Sequence, residues 1–162
     1  MKISDIFDIF VARSHATDEY SNGNIPFVTN SEINNGIVRY VDPIDDDLTF
    51  PGGSICVSGL GHATVHFDEF LPKGNGGDSC TILVPKDDLS KADLLYYAAM
   101  FNVSHGWRFS FGRKASRRRI ELLEIDAVGD QSLIDVDVSV AEVNDKVSGV
   151  LTKKEGELVS KQ

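Results

Sequence analysis

The chain has little of several things, and each shortage excludes something. It has only two cysteines in 162 residues, Cys56 and Cys80, with no CxxC spacing between them. A disulfide-framed fold and a structural zinc site of cysteines are therefore not expected, and two buried reduced thiols are. No apolar run approaches the length of a membrane span, so no membrane partner is expected. The first ten residues carry Asp5 and Asp8 inside their apolar stretch, unlike a secretory leader, which leaves a cytoplasmic protein as the expectation. Positive charge is also scarce: 16 Lys and Arg stand against 25 Asp and Glu, giving a formal charge of −9. A general nucleic-acid coat protein would carry the opposite sign. Internal repeats and low-complexity tracts are missing, while the apolar share of 41% is that of an ordinary globular domain.

Against this acidic background one stretch reverses sign. From Trp107 to Arg119 there are six basic residues (Arg108, Arg113, Lys114, Arg117, Arg118 and Arg119) and no acidic one. Aromatic side chains interleave with its first half. A solvated helix start is the plain interpretation of such a run, and a surface that displaces counterions from a polyanion is the functional one.

The periodicity is that of an α+β chain, a β-rich part followed by a helix and the basic segment. The opening residues pass from a helical turn into a strand near Phe7 to Ala12. A polar loop runs from Arg13 to Asn24. Ile25 to Thr29 reads as a short strand, and Pro26 assigns it to a sheet edge or a first position. Asn34-Asn35-Gly36 is a turn before a strand from Ile37 to Val41. Further strands are expected at Ser54 to Ser58, His62 to Phe67 and Ser79 to Pro85, with a loop from Leu71 to Gly77. An amphipathic helix spans Asp88 to Asn102, with Ser90 as N-cap and Asp93 three residues on. Ser116 is placed to cap a short helix reaching Leu123. Beyond Asp126 the chain is acidic and valine-rich, with a last strand expected at Leu133 to Val140 and a frayed tail from Lys153.

Several residue groups suggest chemistries that their spacing does not support. His62, His66 and Asp68 invite a metal, yet a bare His-x-x-x-His without the HExxH glutamate is a weak signal, and no metal or other cofactor is expected. Ser58-Gly59-Leu60-Gly61 is not a nucleophile elbow, and Gly59-x-Gly61 lacks the rest of a dinucleotide fingerprint. Gly74, Gly76 and Gly77 lack the Gly-Lys-Ser/Thr of a phosphate loop. Asp45, Asp46 and Asp47 read as a solvated acidic turn in preference to a cation site. No catalytic constellation emerges, so the chain is not expected to be an enzyme.

In order along the chain, Ile3 to Ile9, the block Gly23-Asn24-Ile25-Pro26-Phe27-Val28-Thr29-Asn30-Ser31, Gly53 to Gly59, Asn75 to Leu83, and Arg108-Phe109-Ser110-Phe111-Gly112-Arg113-Lys114 resemble the target recognition domain of type I restriction-modification DNA specificity subunits. Single recognition domains of type II restriction-methylation enzymes are similar. The resemblance covers about Ile3 to Ile125 and implies a DNA methylase specificity domain-like fold, with a recognition domain over 1–126, an acidic segment over 127–152 and a tail over 153–162. It further implies sequence-specific binding of double-stranded DNA, without catalysis, on behalf of a DNA methyltransferase (modification) subunit. Arg113, Lys114, Arg117, Arg118 and Arg119 are the candidates for gripping phosphates, with Arg108 in the same block. Arg13, His15, Asn30 and Ser31 are the candidates for reading bases, since Arg forks onto guanine and Asn onto adenine. Trp107 and Phe109 are left open between packing and DNA contact. A complete specificity subunit has two such domains, and this chain has room for one. A half-subunit that pairs with itself as a homodimer, a domain of a larger enzyme and a stand-alone relative all remain open. The rival function is a protein-interaction module or decoy that kept the fold and does not bind DNA.

Overall fold

The structure, a computed structural model, describes residues 1–75, 79–109 and 113–128. The chain divides into a compact unit, Met1–Ala127, and a second unit, Val128–Gln162. The expected last strand and tail fall outside the described residues.

A single helical turn, α1 (Ile3–Ile6), feeds directly into β1 (Phe7–Val11). Strand β2 (Asn22–Val28) and strand β3 (Ile37–Val41) form a hairpin across the Asn34–Gly36 turn. All three turn residues have positive φ (55°, 55° and 78°), which is why two asparagines and a glycine stand there. Strands β4 (Ser54–Val57) and β5 (Ala63–His66) form a second hairpin, followed by the short β6 (Leu71–Pro72) and by β7 (Thr81–Pro85). Helix α2 (Lys91–Ser104) and the single turn α3 (Arg117–Ile120) complete the described elements.

The strands make an antiparallel sheet in the order β1-β7-β4-β5 and a smaller sheet in the order β3-β2-β6. Register puts Phe7, Ile9, Leu83, Ile55, Val57 and Val65 on one face of the larger sheet. Helix α2 covers that face with Leu94, Tyr97, Ala98 and Phe101, the i, i+3, i+4, i+7 stripe of an amphipathic helix. Phe7 meets Tyr97 edge-on at 5.3 Å. The opposite face, with Cys56 and Ile82, packs on Val28, Phe50 and Phe70 from the side of the smaller sheet. Strand β4 is buried along its whole length because both its faces are covered. Cys56 and Cys80 are free thiols inside this second core layer.

Several expectations change in detail: α3 ends at Ile120 and does not reach Leu123, α2 starts at Lys91 after its Ser90 cap, and β2 begins at Asn22, inside the stretch expected as loop. Strand β2 lies in the middle of its sheet with Pro26 inside it, although Pro26 pointed to an edge or a first position. Strand β6 joins β2 only at Phe27 and Val28, so at Pro26 the chain has β3 alone as a neighbour. The Leu71–Gly77 loop contains β6, whose two residues pair only with distant ones. Strand β7 starts at Thr81, since Cys80 N–H is spent on Lys73 O at 2.8 Å. Helix α2 passes Asn102 to end at Ser104, because the Asn102 amide faces β5 and does not stop the helix. It accepts from Ala63 N–H at 2.7 Å and donates to Ala63 O at 3.0 Å, closing the outer edge of β5 as a neighbouring strand would.

Candidate nucleic-acid interface

One row of residues, Val11–Thr81–Val57–Ala63, marks an end of the larger sheet. From it leave the Ala12–Ser14 segment, the Ser79–Cys80 approach to β7 and the β4–β5 hairpin loop. The basic run is laid across this end by a buried alanine. Ala115 N–H donates to Gly59 O at 3.0 Å, and Thr81 Oγ1 donates to Ala115 O at 3.3 Å. Ala12 N–H bonds Cys80 O at 2.9 Å, bringing Arg13 to the same end. Segments a hundred positions apart in sequence are thus bonded at one end of the sheet.

Within α3, Ser116 caps the turn by accepting from Arg119 N–H. Ile120 is wholly buried, which turns Arg117, Arg118 and Arg119 toward solvent. The segment is tied to the N-terminus, with Ile3 N–H on Leu123 O at 2.9 Å and Ile125 N–H on Met1 O at 2.8 Å. The arginines are not equivalent. Arg119 donates to Lys114 O at 3.0 Å, while Arg117 sits 3.9 Å from Glu121. Among the described residues Arg13, Arg113 and Arg118 have no partner for their guanidinium groups. Lys114, Ser116, Arg118, Arg119 and Leu122 line an open groove of about 640 Å³. Four to five outward cations beside such a groove form a surface suited to a row of phosphates.

The other candidates separate. Arg108 is already engaged: its Nε donates to His105 Nδ1 at 3.1 Å, and its guanidinium lies 4.8 Å over the Trp107 ring. Phe109 is buried and stacked on Phe101, whereas Trp107 is 65% exposed, so the two aromatics take different roles. His15 is held by Asp47, its Nδ1 2.8 Å from the carboxylate, and this bond raises the imidazole above its ordinary range. Asp47 is no solvated turn residue, for its side chain has no exposed surface. Burial alone would raise its pKa, but bonds from Ile44 N–H, His15 and the Tyr20 hydroxyl outweigh that and hold it low. Tyr20 itself is pushed up to about 12, chiefly by burial. Ser31 is spent on its own turn, with Ile33 N–H on its Oγ at 3.2 Å, while the Asn30 amide is unpartnered among the described residues. No described contact joins that loop to the basic run.

The histidine pair does not converge. His66 is buried, 2.8 Å from Thr64 Oγ1 and stacked on Phe70, and burial drops its pKa to about 4. Among the described residues no three His, Cys, Asp or Glu side chains are grouped to hold a metal ion. The two residues that organise this surface, Ala115 and Asn102, carry no sign of that role in the sequence. An alanine between Lys114 and Ser116 gives no signal by itself, because its value lies wholly in its two long-range backbone bonds.

Residues 1–126 match the type I restriction modification DNA specificity domain. No curated protein is similar enough to match. Among solved structures, the HsdS subunit from Thermoanaerobacter tengcongensis is similar with a TM-score of 0.66 at 13% identity, over 92% of this chain and 38% of that one. A structure on complex assembly and conformational transition of the type I R-M system gives 0.68 at 16% identity, over 93% and 39%. The type I restriction-modification S subunit from M. genitalium gives 0.58 at 11%, over 94% and 42%. The chain spans about two fifths of the length of the solved chains it matches. At these identities the likeness is one of fold.

Proposed function

Because this chain belongs to the type I restriction modification DNA specificity domain family, we infer that it reads duplex DNA through the basic end of its larger sheet. Exposed Arg113, Lys114, Arg117 and Arg118 on either side of the bonded Ala115, with exposed Arg13 leaving the same sheet end, are the observation that carries this reading. They set the domain on the phosphate backbone, and side chains from the neighbouring loops sample base edges. The domain is non-catalytic and cytoplasmic: methylation and cleavage belong to a modification subunit and its partners, which it directs to a site. Among the described residues no helix is long and apolar enough to cross a membrane.

The net charge of −9 fits this role when the field is local. Acidic residues elsewhere repel DNA and orient the basic end toward it. Selection of bound duplexes from a random pool, followed by a salt titration of the winner, tests the reading. Enrichment of a defined sequence whose affinity falls steeply with salt is expected. No binding at low salt, alone and with a type I modification subunit, would overturn it and leave the decoy.

A further inference from the structure

The β4–β5 hairpin loop, Ser58 to His62, rises from the same sheet end as the basic run. At its tip Leu60 is 58% exposed, between Gly59 and Gly61, which are both buried. The loop is held tightly for so short a segment. Ser58 N–H donates to His62 O at 2.9 Å, Gly61 N–H to Ser58 O at 2.9 Å, and His62 N–H to Ser58 Oγ at 3.2 Å. Gly59 O receives Ala115 N–H from the basic segment, so the hairpin and the run form one bonded unit. Gly61 has φ +88° and packs under Phe109: a Cβ there would stand 2.7 Å from that ring. No side chain other than glycine suits the position.

A single exposed leucine is ordinary on a protein surface. A rigid, narrow tip whose leucine stands between two glycines, bonded to the segment that carries the outward cations, is a different arrangement. Backbone bonds and a left-handed glycine hold the leucine's projection, and the adjacent guanidinium groups would bring a duplex against it. Apolar side chains presented in this way touch the thymine methyl or wedge against a base step. Resting on the DNA-reading assignment above, we propose that Leu60 is a specificity-determining residue that makes apolar contact with a base pair of the recognised site. It adds sequence discrimination to the sequence-blind grip of the arginines.

The test uses the full chain, its selected duplex and a scrambled duplex of equal length. Leu60→Ala is expected to lower affinity for the selected duplex about tenfold, to leave the scrambled one unchanged and to keep the salt slope. Leu60→Met, which keeps an apolar reach, is expected to recover most of the loss. Replacing each thymine by uracil, or a neighbouring base by fluorescent 2-aminopurine, then tells methyl contact from step wedging: either response supports the proposal. Unchanged affinity of Leu60→Ala for the selected duplex, or an equal loss on both duplexes, would overturn it while the DNA reading stands. Failure of the unaltered chain to bind any duplex would overturn both.

Discussion

The arginines of α3 give the sharpest quantitative prediction, because the structure ranks them. Each phosphate contact contributes about −0.9 to the slope of log K against log salt. If Arg13, Arg113, Lys114, Arg117, Arg118 and Arg119 all engage, the slope is about −5, and affinity falls roughly a thousandfold between about 50 and 200 mM salt. Arg118 is exposed and unpartnered, so Arg118→Ala is expected to remove a full contact and flatten the slope by about 0.9. Arg117 must first leave Glu121, 3.9 Å away, a surface pair worth about 0–1 kcal/mol. Arg117→Ala therefore costs less affinity than Arg118→Ala, and Glu121→Gln, by freeing Arg117, should tighten binding slightly. Arg119→Ala also breaks the bond to Lys114 O, so its loss of affinity should exceed that of a phosphate contact alone. The triple Arg117→Ala, Arg118→Ala, Arg119→Ala change should bring the slope to about −2 to −3 and weaken all sequences alike. Fluorescence anisotropy of a labelled duplex over a salt series measures this, with circular dichroism to verify folding. A triple variant that is folded and keeps the original slope would refute the assignment of phosphates to α3.

Two further predictions concern the scaffold. Asn102→Ala removes two hydrogen bonds to Ala63 and leaves an N–H and a carbonyl bare on the edge of β5. A loss of about 2 kcal/mol in chemical denaturation is expected, and an unchanged midpoint would show that the latch contributes nothing. Burial holds His66 near 4, below its unfolded value of about 6.5, so the unfolded chain binds the extra proton first as pH falls. Stability should therefore drop by at most about 3 kcal/mol as pH falls from about 6.5 to 4. His66→Gln should flatten that limb of the stability–pH curve, and a curve of unchanged steepness would exclude His66 as its source.

What could be read from sequence was what is encoded locally. Ser90 and Asp93 cap α2 reciprocally, just as their spacing predicts. Ser116 caps α3, and Asn34-Asn35-Gly36 turns where residues tolerant of positive φ stand together. The strand alternation of Ile37 to Val41 matches its observed bounds. The family resemblance likewise rests on short blocks in order, and it agrees with the domain matched over residues 1–126.

What depends on partners far away in the chain stayed hidden. Pro26 marks an edge by its own chemistry, but where β6 returns decides how many neighbours β2 has. Phe109 and Trp107 are alike in sequence, and only the packing of Phe101 separates them into core and surface. Asp47 reads as one of three solvated aspartates until His15 and Tyr20 close over it.

The sequence by itself determined most of the elements with their caps and turns, the family and the identity of the basic run. The tertiary structure alone decided where the cations lie. Arg13 leaves the sheet end to which Ala115 is bonded because Val11, Thr81 and Val57 share one register row and Ala115 is bonded across it. Register is a property of pairs of strands, and no single strand's residues contain it.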